Sequence, residues 1–87
     1  MEITDFKSLN RGALKASFNV LIPEWGMTIR SCALFEKDGR RWIGYPSRTY
    51  DDPENGKKKY YSYILFDEKV KPKFEESVLK ALKKFND

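Results

Sequence analysis

Residues 37–66 read KDGRRWIGYPSRTYDDPENGKKKYYSYILF and contain two turn signals around which a sheet can be built. Asp38-Gly39 is the stronger signal, because this pair readily takes the positive φ values of tight hairpin turns. Asn55-Gly56 is the second, inside an acidic and proline-containing loop. Segments 41–45 and 60–66 flank these turns and are rich in the aromatic and β-branched residues that favour strands. We therefore predict a strand in each segment.

The chain ahead of this stretch alternates between apolar and polar residues with the period of a half-buried strand. Residues 14–22 show the cleanest alternation and residues 3–6 predict a short edge strand. Residues 27–37 predict another strand, in which Leu34 interrupts the alternation. The predicted inward faces of the two longer strands consist of Ala16, Phe18, Val20, Ile22, Met27, Ile29, Ala33 and Phe35.

After residue 66 the apolar residues repeat at helical spacing instead. Asp67 is predicted to cap this helix and Pro72 fits its first turn. The sequence thus predicts an α+β fold in a single domain over residues 1–87: a curved antiparallel sheet of four or five strands followed by one C-terminal helix. The helix either packs on its own sheet or meets a second copy of the chain. We favour a homodimer formed through Phe74, Val78, Leu82 and Phe85.

Composition narrows the classes of function. The chain has 87 residues, with 17 Lys and Arg against 13 Asp and Glu, a net charge of +4 that favours polyanionic partners. It has one cysteine and no histidine, so an internal disulfide is impossible and the commonest general base and metal ligand are missing. We therefore expect no catalytic site, no metal and no cofactor. No apolar run approaches a membrane span, and the N-terminal residues lack the pattern of a secretory signal. We expect a cytoplasmic protein.

One group of side chains could carry a function, because flat rings and fixed positive charges are interleaved along residues 30–63. Rings stack on unpaired bases and cations hold phosphates, which suits a single strand of DNA, or of RNA, without strong sequence preference. The alternatives are that the rings form the core, or that the aromatic strands dock on another protein. The predicted nucleic-acid-binding residues are Arg30, Arg41, Trp42, Tyr45, Arg48, Lys57, Lys58, Lys59, Tyr61 and Tyr63.

Short motifs also resemble two known families. Met1-Glu2-Ile3-Thr4-Asp5, Leu14-Lys15-Ala16, Pro46-Ser47-Arg48 and Val78-Leu79 resemble, in this order, the sporulation stage V protein G family. That resemblance implies a small bacterial nucleic-acid-binding dimer with regulatory roles.

The second half of the chain, with DDPENGKKK between two strands and a closing helix, resembles the positive-cofactor-four type of transcription coactivator. This resemblance implies a curved sheet that binds single-stranded DNA and helices that dimerise. Both resemblances imply nucleic-acid binding, and for a compact basic protein of a bacterium or phage a role in transcription, replication or recombination would follow. The residues at comparable positions are Trp42, Lys58, Lys59 and Tyr61.

Overall fold

The computed structural model describes residues 1–86 and has an α+β fold, as predicted. Four strands form an antiparallel sheet in the order β1-β2-β3-β4, and a separate hairpin, β5–β6, follows before the C-terminal helix. A short 3-10 turn, Pro23–Trp25, joins β2 to β3. The elements are β1 (Glu2–Arg11), β2 (Leu14–Ile22), β3 (Met27–Lys37), β4 (Arg40–Gly44), β5 (Ser47–Asp51), β6 (Lys58–Ser62) and α1 (Lys71–Asn86).

The core lies between the four-stranded sheet and α1. Alternate residues of β2 point into it as the sequence predicted, and Val78 and Leu82 of the helix have no exposed surface. At the outer edge of the sheet, Glu75 Oε1 accepts a hydrogen bond of 2.9 Å from the backbone N–H of Ile43 on β4. We call the other side of this sheet, which faces away from α1, the open face. The buried strand residues of the core are Ala16, Phe18, Val20, Ile22, Ile29, Cys32, Leu34 and Ile43.

A β-bulge in β3 changes which of its side chains enter the core. Ser31 has a left-handed backbone with φ of 63°, and the β2–β3 register shifts beside it. Because one extra residue is inserted there, the alternation reverses. Ile29 is buried before the bulge and Leu34 after it, whereas Phe35 lies on the open face. The prediction that Ala33 and Phe35 face inward with Ile29 is therefore wrong.

The last predicted strand is shorter than expected. β6 ends at Ser62, so residues 63–66 lie outside it, although the Tyr63 N–H still donates to the Pro46 carbonyl at 3.1 Å. Phe66 instead packs against Phe74 of the helix, with ring centroids 4.9 Å apart. At the other end of the chain, β1 is longer than the predicted segment 3–6.

Asp67 does not cap the helix directly. Its carbonyl accepts hydrogen bonds from Val70 and Lys71, at 2.9 and 3.1 Å, and its Oδ1 accepts one from the Lys69 N–H at 3.4 Å. These bonds close a turn over residues 67–70, and the helix begins at Lys71. The predicted helix start, directly after Asp67, is therefore three residues too early.

The apolar stripe of α1 packs on its own chain. Val78 and Leu82 are fully buried there, so these two residues present no surface to a second copy, which corrects their predicted place in a dimer interface. Phe74 packs between Tyr45 and Phe66. Phe85 stacks on Phe6 of β1 at 4.7 Å between ring centroids and keeps 45% of its surface exposed.

Candidate nucleic-acid interface

The hairpin β5–β6 exposes side chains on both of its faces, since all five residues of each strand are exposed. Arg48 and Tyr61 are cross-strand partners, and the Arg48 guanidinium carbon lies 5.1 Å from the centroid of the Tyr61 ring. This is a cation–π contact. Tyr63 meets Tyr61 edge-on, with centroids 5.9 Å apart. The hairpin therefore holds a fixed positive charge beside two exposed rings.

The turn of this hairpin is organised by Asp52, a buried carboxylate. Its Oδ2 pairs with Lys59 Nζ at 2.6 Å, and its Oδ1 accepts the Glu54 N–H at 2.9 Å. The hydrogen bond from Lys59, followed by that from the Glu54 N–H, lowers the pKa of Asp52 below its ordinary value. The backbone N–H of Gly56 also donates to the Asp52 carbonyl at 2.8 Å.

The three consecutive lysines consequently have different surroundings. Lys59 pairs with Asp52, so much of its charge is compensated. Lys58 lies opposite Asp51, and neighbouring residues of a strand point to opposite faces. Lys57 lies in the loop before β6 and is exposed. The sequence grouped these residues as one basic patch. Because Lys59 is paired with Asp52 and Lys58 lies on the face opposite to Arg48 and Tyr61, Lys57 is the lysine suited to contact phosphates beside that pair.

Tyr45 is a core residue, which corrects its predicted role as a stacking ring. It packs at a tilt against Phe66 and Phe74, with centroid distances of 4.9 and 6.1 Å. Its hydroxyl oxygen is buried. Burial, and then the nearby Glu75 carboxylate, raise the pKa of Tyr45 above its ordinary value.

Arg41 and Trp42 lie on opposite faces of β4. Arg41 is the cross-strand partner of Glu36 on β3 and lines a groove with Lys83 of the helix. Its side chain therefore lies on the side of the sheet that α1 covers. Trp42 lies on the open face and stacks on Phe35, with centroids 5.6 Å apart and ring planes 8° from parallel. The sequence placed Arg41 and Trp42 on one surface, and the structure separates them.

Arg30 belongs with the hairpin instead. It lines a shallow groove together with Pro46, Tyr63 and Ile64, at the base of β5–β6. The residues brought together here are thus Arg30, Arg48, Lys57, Tyr61 and Tyr63, which we call the hairpin surface. The predicted binding residue Lys58 is not among them, because it lies on the other face of β6. Sequence reasoning missed the exposed Tyr60, and it missed Lys37 and Arg40 on the open face. The Asp38-Gly39 turn could have identified the latter two, because it pairs Lys37 with Arg40 and hence Phe35 with Trp42.

Other kinds of site find little support in the described part of the chain. Within residues 1–86, no group of three His, Cys, Asp or Glu side chains is placed to hold a metal ion. Cys32 is buried, and burial raises the pKa of its thiol to about 11, so it is a poor nucleophile at neutral pH. In the same residues, α1 lacks the length and apolar character that crossing a bilayer requires.

Comparison with known proteins adds no relative. No protein-family model matches the chain, and no curated protein and no solved structure matches it either.

Proposed function

We propose that this chain binds single-stranded nucleic acid, DNA or RNA, with little sequence preference, through the hairpin surface. The observation that carries the proposal is the Arg48 guanidinium held 5.1 Å from the centroid of the exposed Tyr61 ring. A base can stack on such a ring while the neighbouring cation contacts its phosphate. A role in transcription, replication or recombination is part of the same proposal.

The exposure of the rings supports a ligand over a purely structural role. Tyr60, Tyr61 and Tyr63 expose 76, 52 and 59% of their surfaces. Aromatic side chains contribute most to a fold when they are buried, so three exposed rings on one short hairpin stabilise it little. They can instead stack on bases, each contributing about 1–3 kcal/mol to binding.

A single strand suits these rings better than a duplex. In a duplex the bases are already stacked on each other, and a ring reaches a base face only if that base leaves the stack. Arg30, Arg48 and Lys57 would hold the phosphates that lie between stacked bases. Because this binding releases counterions, its affinity should fall with added salt.

An electrophoretic shift with labelled oligo-dT at about 0.1 M salt, where screening is substantial, tests the proposal. We expect a shift for the parent chain, competition by single strands but not by duplex, and weaker binding for Tyr61→Leu and Arg48→Gln. Tyr45→Phe is the matched control, because its ring lies in the core. Unchanged binding of Tyr61→Leu and Arg48→Gln would remove the hairpin surface from the mechanism.

The second candidate is a protein-interaction module that docks on a replication or transcription enzyme. Leu65 and Val70 favour it, since these apolar residues expose 87 and 49% of their surfaces. Aromatic residues and arginine are also enriched at protein interfaces. This reading predicts no oligonucleotide shift at about 0.1 M salt.

The homodimer and the cytoplasmic location remain proposals. With Val78 and Leu82 inside their own core, Phe85 is the member of the predicted dimer stripe that keeps substantial exposed surface. Sedimentation equilibrium with Phe85→Glu tests whether it holds two copies together. A single buried thiol, Cys32, suits a reducing compartment.

A further inference from the structure

One row of side chains crosses the open face of the four-stranded sheet. Arg11 is paired with Leu14, Leu14 with Phe35, and Phe35 with Trp42. Cross-strand partners in an antiparallel sheet share a face. Because Ile43, the neighbour of Trp42, points into the core against α1, this row lies on the side that the helix leaves uncovered.

The two rings at one end of the row are held in a fixed orientation. Phe35 and Trp42 are nearly parallel, and Trp42 keeps 38% of its surface exposed. Gly44 makes room for this stack, since a β-carbon there would lie 2.6 Å from Phe35 Cε2. Trp42 is therefore a preoriented ring, and a ligand that stacks on it loses little freedom of the protein side chain.

Cations surround these rings on the same face. Lys37 and Arg40 form the next cross-strand pair, and with Asp38 and Trp42 they line one shallow groove. Arg11 lies at the β1 end of the row described above. Lys7 lies on the same face, because it is the cross-strand partner of Ser17. The carboxylates on this side are Asp38 in the turn, with Glu2 and Asp5 toward the far end of β1.

We propose that the open face is a second contact for single-stranded nucleic acid, with a base stacked on Trp42 and phosphates held by Arg40, Lys37 and Arg11. This inference rests on the proposed function and extends it to a surface on another sheet. A strand long enough to reach both surfaces would gain affinity from the linked contacts.

The charges on the open face favour a nucleic-acid strand over a protein as its ligand. Lys7, Arg11, Lys37 and Arg40 match the regular negative charge of a phosphate backbone. The apolar area is small, because the row beside the rings consists of Ser17, Ala33 and Gly44. A docked protein would require a larger apolar centre.

Tryptophan fluorescence provides the test. Trp25→Phe leaves Trp42 as the single tryptophan, and this parent is titrated with oligo-dT of about 16 nucleotides. We expect quenching of Trp42 on binding. Arg40→Gln should weaken binding and lower the salt slope by about 0.7, the share of one phosphate contact. Trp42→Leu, followed by electrophoretic shift, should weaken binding about fivefold or more.

Arg41→Gln is the matched control, because it removes the same charge from the adjacent residue on the helix side of the sheet. It should bind like the parent. A titration with poly-glutamate tests an acidic polypeptide as the alternative occupant, and quenching equal to that by oligo-dT would overturn the stacked base.

The two proposals fail in different ways. Suppose that Tyr61→Leu weakens binding, but Trp42 is not quenched or Arg40→Gln and Arg41→Gln have equal effects. This result overturns the second contact and leaves the hairpin surface in place. Absence of any binding by the parent at about 0.1 M salt overturns both. Quenching together with a loss specific to Arg40→Gln supports the second contact.

Discussion

Asn19 Nδ2 donates a hydrogen bond of 2.9 Å to Asp5 Oδ2, across the pairing of β1 with β2. The other end of the same amide, Oδ1, accepts the backbone N–H of Ser31 on β3 at 3.3 Å. Asp5 and Ser31 have left-handed backbones, with φ of 50° and 63°, and the strand registers shift beside both. The Asn19 side chain on β2 therefore holds an irregular residue in each of the two adjacent strands, β1 and β3.

Removing this amide should destabilise the sheet. Asn19→Ala loses two hydrogen bonds, and we expect the free energy of unfolding to fall by about 1–2 kcal/mol. Urea denaturation followed by circular dichroism measures it. Ser17→Ala, on the same face of β2, is the control, with an expected change within about 0.5 kcal/mol. Equal effects of the two substitutions would contradict the role of Asn19.

The backbone at Ser31 favours glycine. A left-handed conformation costs an ordinary residue about 1–2 kcal/mol, and glycine avoids this cost. Part of the gain is offset because glycine loses more backbone entropy on folding. Ser31→Gly should therefore raise the free energy of unfolding by up to about 1 kcal/mol. Ser31→Val should lower it, because a β-branched side chain fits this conformation poorly. The same urea titrations decide, and a more stable valine variant would argue against the bulge.

Gly44→Ala should disturb the stacked rings of the open face. The new methyl group would meet the Phe35 ring, and the resulting shift should cost about 1–3 kcal/mol of stability and change Trp42 emission in a Trp25→Phe background. Combining Gly44→Ala with Phe35→Leu forms a double-mutant cycle. We expect the alanine to cost less when the ring is absent, and strict additivity would show that the two residues are independent.

Asp52 should make the hairpin turn sensitive to acid. Its folded-state pKa lies below its ordinary unfolded value, so the carboxylate stabilises the folded turn at neutral pH. That contribution begins to fall as the pH drops below about 4 and is lost once the pH passes the folded-state pKa. The backbone N–H of residue 52 donates to the Lys57 carbonyl at 2.9 Å. Asp52→Asn should therefore weaken the hydrogen-exchange protection of this amide at neutral pH but not at low pH. The exposed neighbour Asp51→Asn serves as the control, and a difference that persists in acid would contradict this assignment.

The lysines before Tyr60 should affect salt dependence unequally. Lys57→Ala should lower the slope of log affinity against log salt by about 0.7, the share of one phosphate contact with a single strand. Lys59→Ala should change the slope less, because its charge is paired with Asp52. Oligo-dT titrations at several salt concentrations measure these slopes. An unchanged slope in Lys57→Ala would mean that this lysine does not touch the ligand.

Local patterns predicted the parts of the fold where nothing interrupts them. The alternation in β2 is regular, and its four inward residues are all buried. Asp38-Gly39 marks the β3–β4 hairpin because its preference for positive φ is strong. The helix stripe was predicted for the same reason, but the favoured dimer interface was wrong for Val78 and Leu82, which pack on their own sheet.

The errors arise where a distant contact overrides the local pattern. Serine has no strong preference for a left-handed backbone, so the bulge at Ser31 left no signal and Phe35 was assigned to the wrong face. Tyr45 was misassigned because its partners, Phe66 and Phe74, are far away in sequence. Likewise, the lysine triplet gave no hint that Asp52 pairs with Lys59.

The hydrogen bond from the Ile43 N–H to Glu75 also bears on aggregation of the chain at high protein concentration. A strand at the rim of a sheet is a template on which further chains can add, and it can start fibrils. On β4 the helix carboxylate occupies one of the donors that an incoming strand would need. The same side chain that fastens α1 to the sheet thus opposes polymerisation at this rim.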